Sequence, residues 1–583
     1  MSLKFITSFY DIYKEEFEVV KTTPWRVERF CEIARTGVDI GVFVSASRVS
    51  LIESLGFPNV KILKTIELMD TWTFQEYYKV SSEKQIELPH IRNIPKDTVE
   101  YNLLMHSKIE MMAIAISMNA WGDNSTHYAW MDFNLSHVLH SCSTIAYLKY
   151  LSTKQLNENI LTIPGCWDKY IINETNNENI TEKIHWRFCG GFLLGSSNSF
   201  LNFFQLYTSY FGEFMRTYNK LVWEVNFWAW LEAKCSDWKP LWYAADHNDS
   251  IICNIPVSTY IYSLQEKRGV SIYKYAYPEV DGFYPCSASY IEKDGRHFLN
   301  TRYLNYWITD DSVFLFRGDR TIRSKNIFSE LVESENPKLH DRVLFPICYK
   351  EFDYNSVNLP EQNMYSLGIE DIRLYDDKGV LKFIGTTVGY WLTGGNRMII
   401  GDYDIDECKY NNAEIIQPPG DTYVEKNWIP IGDDQFIYKW SPLEIGKLVN
   451  TENGYRKLEI QTIYTDTQKI VLFNKVRGST ILKEYNGELL GIVHFSEDDK
   501  GGCIRKYFHM MVVLEKETYK PLRYSDPFVF NINRNNLELR KGVEFCIGFT
   551  VYDNKYLFWI SEMDRDPSLV VINLDKIDIK NIF

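Results

Sequence analysis

"HYAWMDFNLSHV", residues 127–138, runs a buried-strand pattern (Tyr128, Ala129, Trp130, Met131) straight into a carboxylate, Asp132, with Asn134 and His137 close behind. A loop that only had to turn could use Gly or Pro. Asp132 and Asn134 instead set two oxygen donors at a strand's C-terminal edge, where open α/β sheets bind ligands. The stretch therefore reads either as an Asx-type turn or as a metal–phosphate site.

The patterning on both sides places it in an α/β region. "FITSFYDI" reads as strand and loop, "PWRVERFCEIART" as a helix with Pro24 at its start, and "VDIGVFVS" as a buried strand. Residues 97–120 predict a long helix with Asp97 as N-cap, leading into the quoted strand. "FCGGFLLGS" (188–196) is a strand with a Gly hinge, and 199–233 is helical. Strands alternating with helices imply a doubly wound, Rossmann-like sheet with its site at the strand C-termini.

Near residue 265 the helical patterns stop. Short aromatic and β-branched runs follow ("SVFLFRG", "LKFIGTTVGYW", "QFIYKWSP", "ELLGIVHF", "YFHMMVVLE"), separated by turn signals such as Asp294-Gly295 and Asn486-Gly487. So many strands need a closed or radial architecture to hide their edges, a β-propeller first and a pair of sandwiches second. The predicted division is 1–265, α/β, and 266–583, all-β propeller.

Bulk properties exclude several classes. A length of 583 residues suggests roughly two to four units at ~150 residues each. A net charge of −14 argues against nucleic acid as the main partner, since phosphate binding needs clustered Lys and Arg. The 11 Cys lack a CxxC or paired spacing, which fits reduced thiols in a cytosol-like compartment. The N-terminus has no apolar signal region and no run of about 18 apolar residues occurs, so no membrane span is expected. Vocabulary rich in Asn, Ile, Lys and Tyr suggests an A/T-rich genome, of a protist or large virus. A cytoplasmic location follows (the host cytoplasm or the virion if viral), and a homo-oligomer is compatible with the sequence.

A nucleotide-sugar transferase must hold a diphosphate while the sugar–phosphate bond ionises, and hard oxygen ligands suit Mn²⁺ or Mg²⁺ for that task. Such enzymes present an Asp-x-Asp at a strand end; "AWMDFN" is that arrangement with Asn134 in the second place. "WYAADHNDS" (242–250) offers Asp246 and His247 as a source of a third ligand, or is a solvated loop. Lys108 on the preceding helix is a phosphate ligand or a solvated lysine. Thr7 and Ser8, closing the first strand, bind base or ribose, or simply turn the chain. Together "FITSFYDI", "HSKIEMMAIA", "YAWMDFNLSHV", "RFCGGFLLGS" and "ADH" resemble the HtrL/YibB-type proteins, a family with a GT-A-like glycosyltransferase fold, over roughly residues 3–255. The resemblance implies a nucleotide-sugar donor site that includes Gly190 and Gly191. It also implies Asp132 at the metal–diphosphate position, with Asn134 and His247 as further metal ligands.

The second half has its own resemblance. "YPCSASYIEKDGRHFLNTRYLNYWIT" (284–309), "GIEDIRLYDD" (368–377), "EKNWIPI" (425–431), "GIVHF" (491–495), "RKYFHMMVVL" (505–514) and "GVEFCIGF" (542–549) look like the five-bladed β-propellers of mannoside phosphorylases (glycoside hydrolase family 130) and related mannosyltransferases. That family uses an Asp in a Glu-Asp-Pro-Arg stretch as catalytic acid and binds phosphate with Arg and His. Here Glu370-Asp371-Ile372-Arg373 keeps the charges but not the Pro, which implies Asp371 as acid and Arg373, Arg505 and His509 as anion ligands. The competing account is a blade-entry ion pair of Asp371 with Arg373 and a core histidine at 509. Glu425 and Asn427, beside Trp428, suit sugar hydroxyls and an apolar sugar face.

Two glycan-active halves predict a glycan-building enzyme. An N-terminal nucleotide-sugar-dependent transferase acts on an oligosaccharide or glycan acceptor, and the propeller is a second transferase or phosphorylase. The alternatives are a transferase with a non-catalytic glycan-binding propeller, or a binding protein with both sites degenerate.

Overall fold

The computed structural model describes all residues except 1–2, 13–21, 123–125, 155, 173–177, 310–312, 337–340, 363–364, 392–393, 453, 466–470, 499–504, 532–542 and 582–583. The chain divides into two compact units, Met1–Tyr260 and Ile261–Phe583.

The first unit is built on seven strands: β1 (Lys4–Phe9), β2 (Ile40–Val44), β3 (Val60–Thr65), β4 (His127–Met131), β5 (Leu161–Gly165), β6 (Phe192–Ser196) and β7 (Leu241–Ala244). Their order in the sheet is β3-β2-β1-β4-β6-β5-β7. β1 pairs in parallel with both β2 and β4, whereas β6 runs antiparallel to both β4 and β5. β1, β2, β4, β5 and β6 are buried along almost their whole length, so they read as continuous apolar runs rather than alternating ones.

Helices cover the sheet, and local chemistry sets their ends. Thr22 caps the helix Thr23–Ala34 by accepting from Trp25 N, with Pro24 in the first turn. The long helix spans Val99–Met118 and is capped by Thr98, not Asp97. The Asp97 carboxylate is spent on the Asn93 N–H (3.0 Å), and Thr98 Oγ1 accepts from Tyr101 N instead. This helix has almost no polar side, and it packs with Ser197–Tyr218 and Glu224–Lys234 around an aromatic core that includes Phe203, Phe211, Phe227 and Trp228. Each ring of that size, fully buried, contributes about 1.5–3 kcal/mol. Most of the aromatic surplus is core, as composition suggests.

The second unit is strand-rich and propeller-like. Among the described residues its strands form five largely antiparallel groups in chain order, the second and third joined into one eight-stranded sheet by the parallel pairing of Ile416 and Gln417 with Arg456 and Lys457. The first comprises Tyr284–Lys293, Arg296–Leu304, Ile322–Asn336 and Asp341–Pro346; the second Glu370–Asp377, Val380–Thr387, Arg397–Asp404 and Lys409–Gln417. The third comprises Ile429–Gly432, Gln435–Trp440, Leu443–Asn450 and Arg456–Tyr464, and the fourth is centred on Glu488–Asp498 and Arg505–Glu515. The fifth comprises Glu544–Tyr552, Lys555–Glu562 and Asp566–Asn573, completed by Val270–Tyr273 from the start of the unit. Each group packs its leading strands on the next, and Tyr284–Lys293 meets Glu544–Tyr552, so the succession closes into a ring. Closure removes the open edges that so many strands would otherwise expose.

The division at Tyr260/Ile261 lies before the change of patterning at 265, and the reason is local. Tyr262 and Ser263 pair with Phe528 and Val529, and Leu264 is fully buried in the core of the fourth and fifth groups. Residues 1–260 and 261–583, expressed separately, are each expected to run as compact species on size exclusion. A fragment starting at 275 lacks the closing strand and its buried Tyr273, and should lose ~2–5 kcal/mol or aggregate. Equal urea midpoints for the two longer-unit fragments would contradict this closure.

Candidate functional site

Each unit carries a cavity. In the first, a cavity of about 380 Å³ lies outside the C-terminal ends of β1 and β4, where the strand order reverses direction. Ser8, Tyr10, Asp132, Asn134, Gly191 and His247 are among its lining residues. Thr7 is not: it is fully buried in the sheet, because neighbouring strand residues face opposite ways.

Asp132 is held from behind. Its N–H donates to Gly191 O (2.9 Å), and its Oδ1 accepts from Trp130 Nε1 (2.9 Å) and lies 3.0 Å from Lys108 Nζ. Lys108 is 1% exposed and also donates to Gly190 O (2.8 Å) and Glu224 Oε1 (3.0 Å). Burial alone would lower the ammonium's pKa; the charges of Asp132 and Glu224 outweigh it and raise it. Lys108 is thus neither a solvated lysine nor a phosphate ligand. Gly190 belongs to the same arrangement, since a Cβ there would meet Glu224 Oε1 at 2.2 Å. Gly191 differs: a Cβ on it would meet Leu135 at 3.5 Å and Asp132 Oδ2 at 3.8 Å, both ordinary contacts.

Asn134 opens a short 3₁₀ turn, Leu135–Val138, and its carbonyl accepts from the N–H of His137 (3.0 Å) and meets the ring's Nδ1 (2.7 Å). Asp132 and Asn134 both line the cavity, and their side-chain oxygens are few and hard as donors. Such a set fits a divalent ion completed by water and substrate phosphates better than one caged by protein. His247 does not join that set on the evidence of its neighbours: its ligand atom converges with the sulfurs of Cys166 and Cys189. Sequence reading missed Arg26, Lys96, Trp186 and Glu224, which also line the cavity. Arg26 and Lys96 are ordinary surface-type cations in sequence, and only the fold brings them here.

One cavity of the second unit, about 450 Å³, is lined by Arg302, Glu370, Asp371, Lys426, Asn427, His494, Arg505 and Asp564 together with apolar and aromatic side chains. Asp371 has a left-handed backbone (φ 50°) in a bulge between Glu370 and Arg373. The bulge breaks the alternation that would put residues 371 and 373 on one face. Arg373 Nη1 consequently meets the Asp371 carbonyl (3.2 Å), not its carboxylate. Fully buried, Arg373 donates Nε to Ser479 O (2.5 Å) and Nη2 to Asn427 Oδ1 (2.9 Å), and burial pushes its pKa down to about 10. It ties strands together and is not an anion ligand.

The carboxylate of Asp371 is paired instead with Arg302, whose Nη1 lies 2.9 Å from Oδ1, while Nη2 lies 3.4 Å from Glu370 Oε2. Burial would raise the Asp371 pKa, but Arg302, Lys426 and Arg373 outweigh it and hold the carboxyl below its usual range. Asp371 is therefore ionised near neutral pH and is not the expected proton-carrying acid. Asp564 behaves in the opposite way. It sits in the turn after Lys555–Glu562 with φ 52°, accepting from Tyr306 Oη (3.1 Å) and from the Cys286 thiol (3.6 Å). Burial raises its pKa, Arg302 pulls it down, the Asp371 charge pushes it up again, and the net shift is upward.

Two further expectations are corrected. His509 does not reach the cavity; it is buried against Phe528 and Phe530 (ring centroids 6.2 and 5.0 Å). His494, its partner on the adjacent strand, lines the cavity, neutral because burial and the charges of Arg373 and Arg477 push its pKa down to about 3. Glu425 is buried and fully engaged by Trp428 Nε1 (2.8 Å), Tyr438 Oη (3.1 Å) and Thr422, and Trp428 is core rather than a sugar platform. Asn427 and Arg505 do line the cavity.

No protein-family model matches the chain, and no curated protein does. Solved structures similar to it include a β-1,2-mannobiose phosphorylase from Listeria innocua (13% identity, 52% of this chain and 98% of that one, TM-score 0.30). Another is MPT-1, a GDP-Man-dependent mannosyltransferase from Leishmania mexicana (13% identity, 53% and 92% covered, TM-score 0.31). A third is a Trypanosoma rangeli sialidase (10% identity, 50% and 45% covered, TM-score 0.27). Likeness at these TM-scores carries no argument about what this chain does.

The opposite shifts at Asp371 and Asp564 give opposite pH signatures. A raised folded-state pKa stabilises below the ordinary carboxylate range and loses that contribution as pH rises through the folded value. Asp564→Asn should therefore melt progressively higher relative to wild type as pH is raised from about 4 to about 8. Asp371→Asn should melt lower than wild type near neutrality, with the gap closing as acid removes the native carboxylate. Parallel melting curves for wild type and Asp564→Asn between about pH 4 and about 8, or for wild type and Asp371→Asn as the pH falls below about 4, would refute the assignment.

Proposed function

We propose that the chain is a carbohydrate-active enzyme that builds glycans, with a nucleotide-sugar transferase site in the first unit and an acid-assisted glycosyl-transfer site in the second. The observation that carries this reading is the pair Asp371 and Asp564 in one cavity. One carboxyl is held ionised and the other is pushed toward its protonated form, beside Arg302, Lys426 and Arg505. Environments that separate two carboxyl pKa values in this way assign an acid and an anion.

In the second unit an oxygen of inorganic phosphate, or of a nucleotide diphosphate in the other direction, exchanges with the glycosidic oxygen at the anomeric carbon. Asp564 gives its proton to the departing sugar oxygen as the C–O bond breaks, and recovers a proton on product release. Lys426 and Arg505 hold the anion, and the Asp371–Arg302 pair fixes the guanidinium and a sugar hydroxyl. In the first unit, Asp132 Oδ2 and Asn134 would hold a divalent ion, which supplies charge against the leaving diphosphate. Arg26 and Lys96 take further diphosphate charge, and Ser8 and Tyr10 face the nucleoside. A GT-A-like identity for this unit is supported by the cavity's position at the reversal of strand order and by the HtrL/YibB-like stretches.

The motif resemblance names mannosides and nucleotide sugars as the first substrates to try. Asp564→Asn should cut phosphate-dependent mannoside turnover or its reverse by about 10²–10⁴-fold while oligosaccharide binding persists. Asp132→Asn should cut nucleotide-sugar transfer by roughly 10²-fold or more. Wild-type turnover in Asp564→Asn, measured by product mass spectrometry, sinks the second-unit assignment and leaves the first to be judged separately.

A further inference from the structure

Three elements of the first unit end at one place. β5 finishes at Gly165 and is followed by Cys166, the segment before β6 carries Cys189, and β7 is followed by Ala245, Asp246 and His247. Direct backbone bonds hold the three together: Cys166 N to Trp186 O (2.9 Å), Cys189 N to Pro164 O (2.7 Å) and Ala245 N to Gly165 O (2.8 Å). The approach is so close that a Cβ on Gly165 would lie 1.8 Å from Arg187 O. The His247 ring packs edge-on against Trp186 (4.3 Å), which restricts its orientation. None of this concerns Asp132, and the sugar-transfer reading makes no use of either cysteine.

The side chains converge as well. One ligand atom each from Cys166, Cys189 and His247 lies within 4.8 Å of the other two, and the two sulfurs are 3.7 Å apart. A disulfide needs about 2.05 Å between sulfurs. Two metal–thiolate bonds of about 2.3 Å at a tetrahedral angle instead place the sulfurs about 3.8 Å apart. Two thiols and an imidazole form a soft-to-borderline donor set that suits zinc over the hard ions expected at Asp132. Asp246 interacts with the Cys166 thiol and supplies a nearby negative charge.

We propose that Cys166, Cys189 and His247 form a zinc site whose fourth position opens to the cavity that carries Asp132. Three protein ligands with one place left for water or substrate is the pattern of an open zinc site rather than a closed structural one. His247 is exposed and lines that cavity, so the open place is offered to an oxygen of whatever the cavity holds. An anionic oxygen such as that of a diphosphate has the matching chemistry. The sequence hides the site, because its ligands are spread over positions 166, 189 and 247 with no short motif.

The test uses the full-length chain purified with reductant and without added chelator or metal, then analysed by plasma mass spectrometry. About one zinc per chain is expected for wild type. Cys189→Ser and His247→Ala should each retain less than about a third of that, and His247, being exposed, keeps the test independent of core damage. Replacing zinc with cobalt should produce a thiolate-to-cobalt charge-transfer band that is lost in Cys166→Ser, and inorganic pyrophosphate should shift the cobalt d–d bands. Absence of zinc and cobalt binding in a folded wild-type chain overturns the site, as does a Cys166–Cys189 disulfide in the reductant-free protein with no metal uptake. A cobalt spectrum unmoved by pyrophosphate overturns the open position. Loss of metal with sugar transfer unchanged would leave the Asp132 reading intact, so the two proposals fail separately.

Discussion

A buried ammonium organises the first unit. Lys108 sits on a helix with scarcely a polar side, and its three partners come from three other places: the end of β4, the Gly190 carbonyl before β6, and Glu224 at the start of a helix. Removing Lys108 would leave the carboxylates of Asp132 and Glu224 facing each other without a cation, and breaking a buried pair costs about 3–5 kcal/mol. The position of Asp132 is therefore a property of the whole domain rather than of its loop. The same contacts dictate glycine at 190, because Glu224 occupies the space a side chain would need.

The propeller-like unit solves a related problem with backbone instead of a lysine. Left-handed residues at Asp371, Asn427 and Asp564 all lie on its cavity wall. Non-glycine residues in that conformation cost energy, and Asn and Asp tolerate it best. At Asp371 the bulge turns a carboxylate away from its sequence neighbour Arg373 and toward Arg302, from a different sheet. Strain of this kind is characteristic of functional walls, where geometry is bought at the expense of local stability.

The broad architecture was legible because it rests on periodicity: buried strands and helices alternate before residue 265, and short strands with turn signals follow. That Asp132, Asn134, Ser8 and Gly191 stand on a cavity wall was legible because strand ends and their following turns have local signatures. What failed was pairing at a distance. Nothing near Lys108 reveals Glu224 as its partner, and strand alternation gives the wrong answer at Asp371 because a bulge inserts one residue. His509 and His494 are indistinguishable by composition, and only their depth in the sheet separates a packed ring from a cavity wall. Asp564 lay in an ordinary-looking turn, and its significance comes from Tyr306, Cys286 and Arg302, hundreds of residues earlier.

The pairing of Val270–Tyr273 with Leu569–Ile572 also bears on how the protein is made. On a ribosome the first unit is complete long before the ring is, while the fifth group of strands must wait for Asp566–Asn573. Until then the four earlier groups stand with an unsealed flank, and contacts of such sequence separation form slowly. The strand that seals the ring is among the first of the unit's sheet-forming segments to be synthesised and among the last to be paired. The interval between those two events is the period in which a nascent chain of this design depends most on protection from its neighbours.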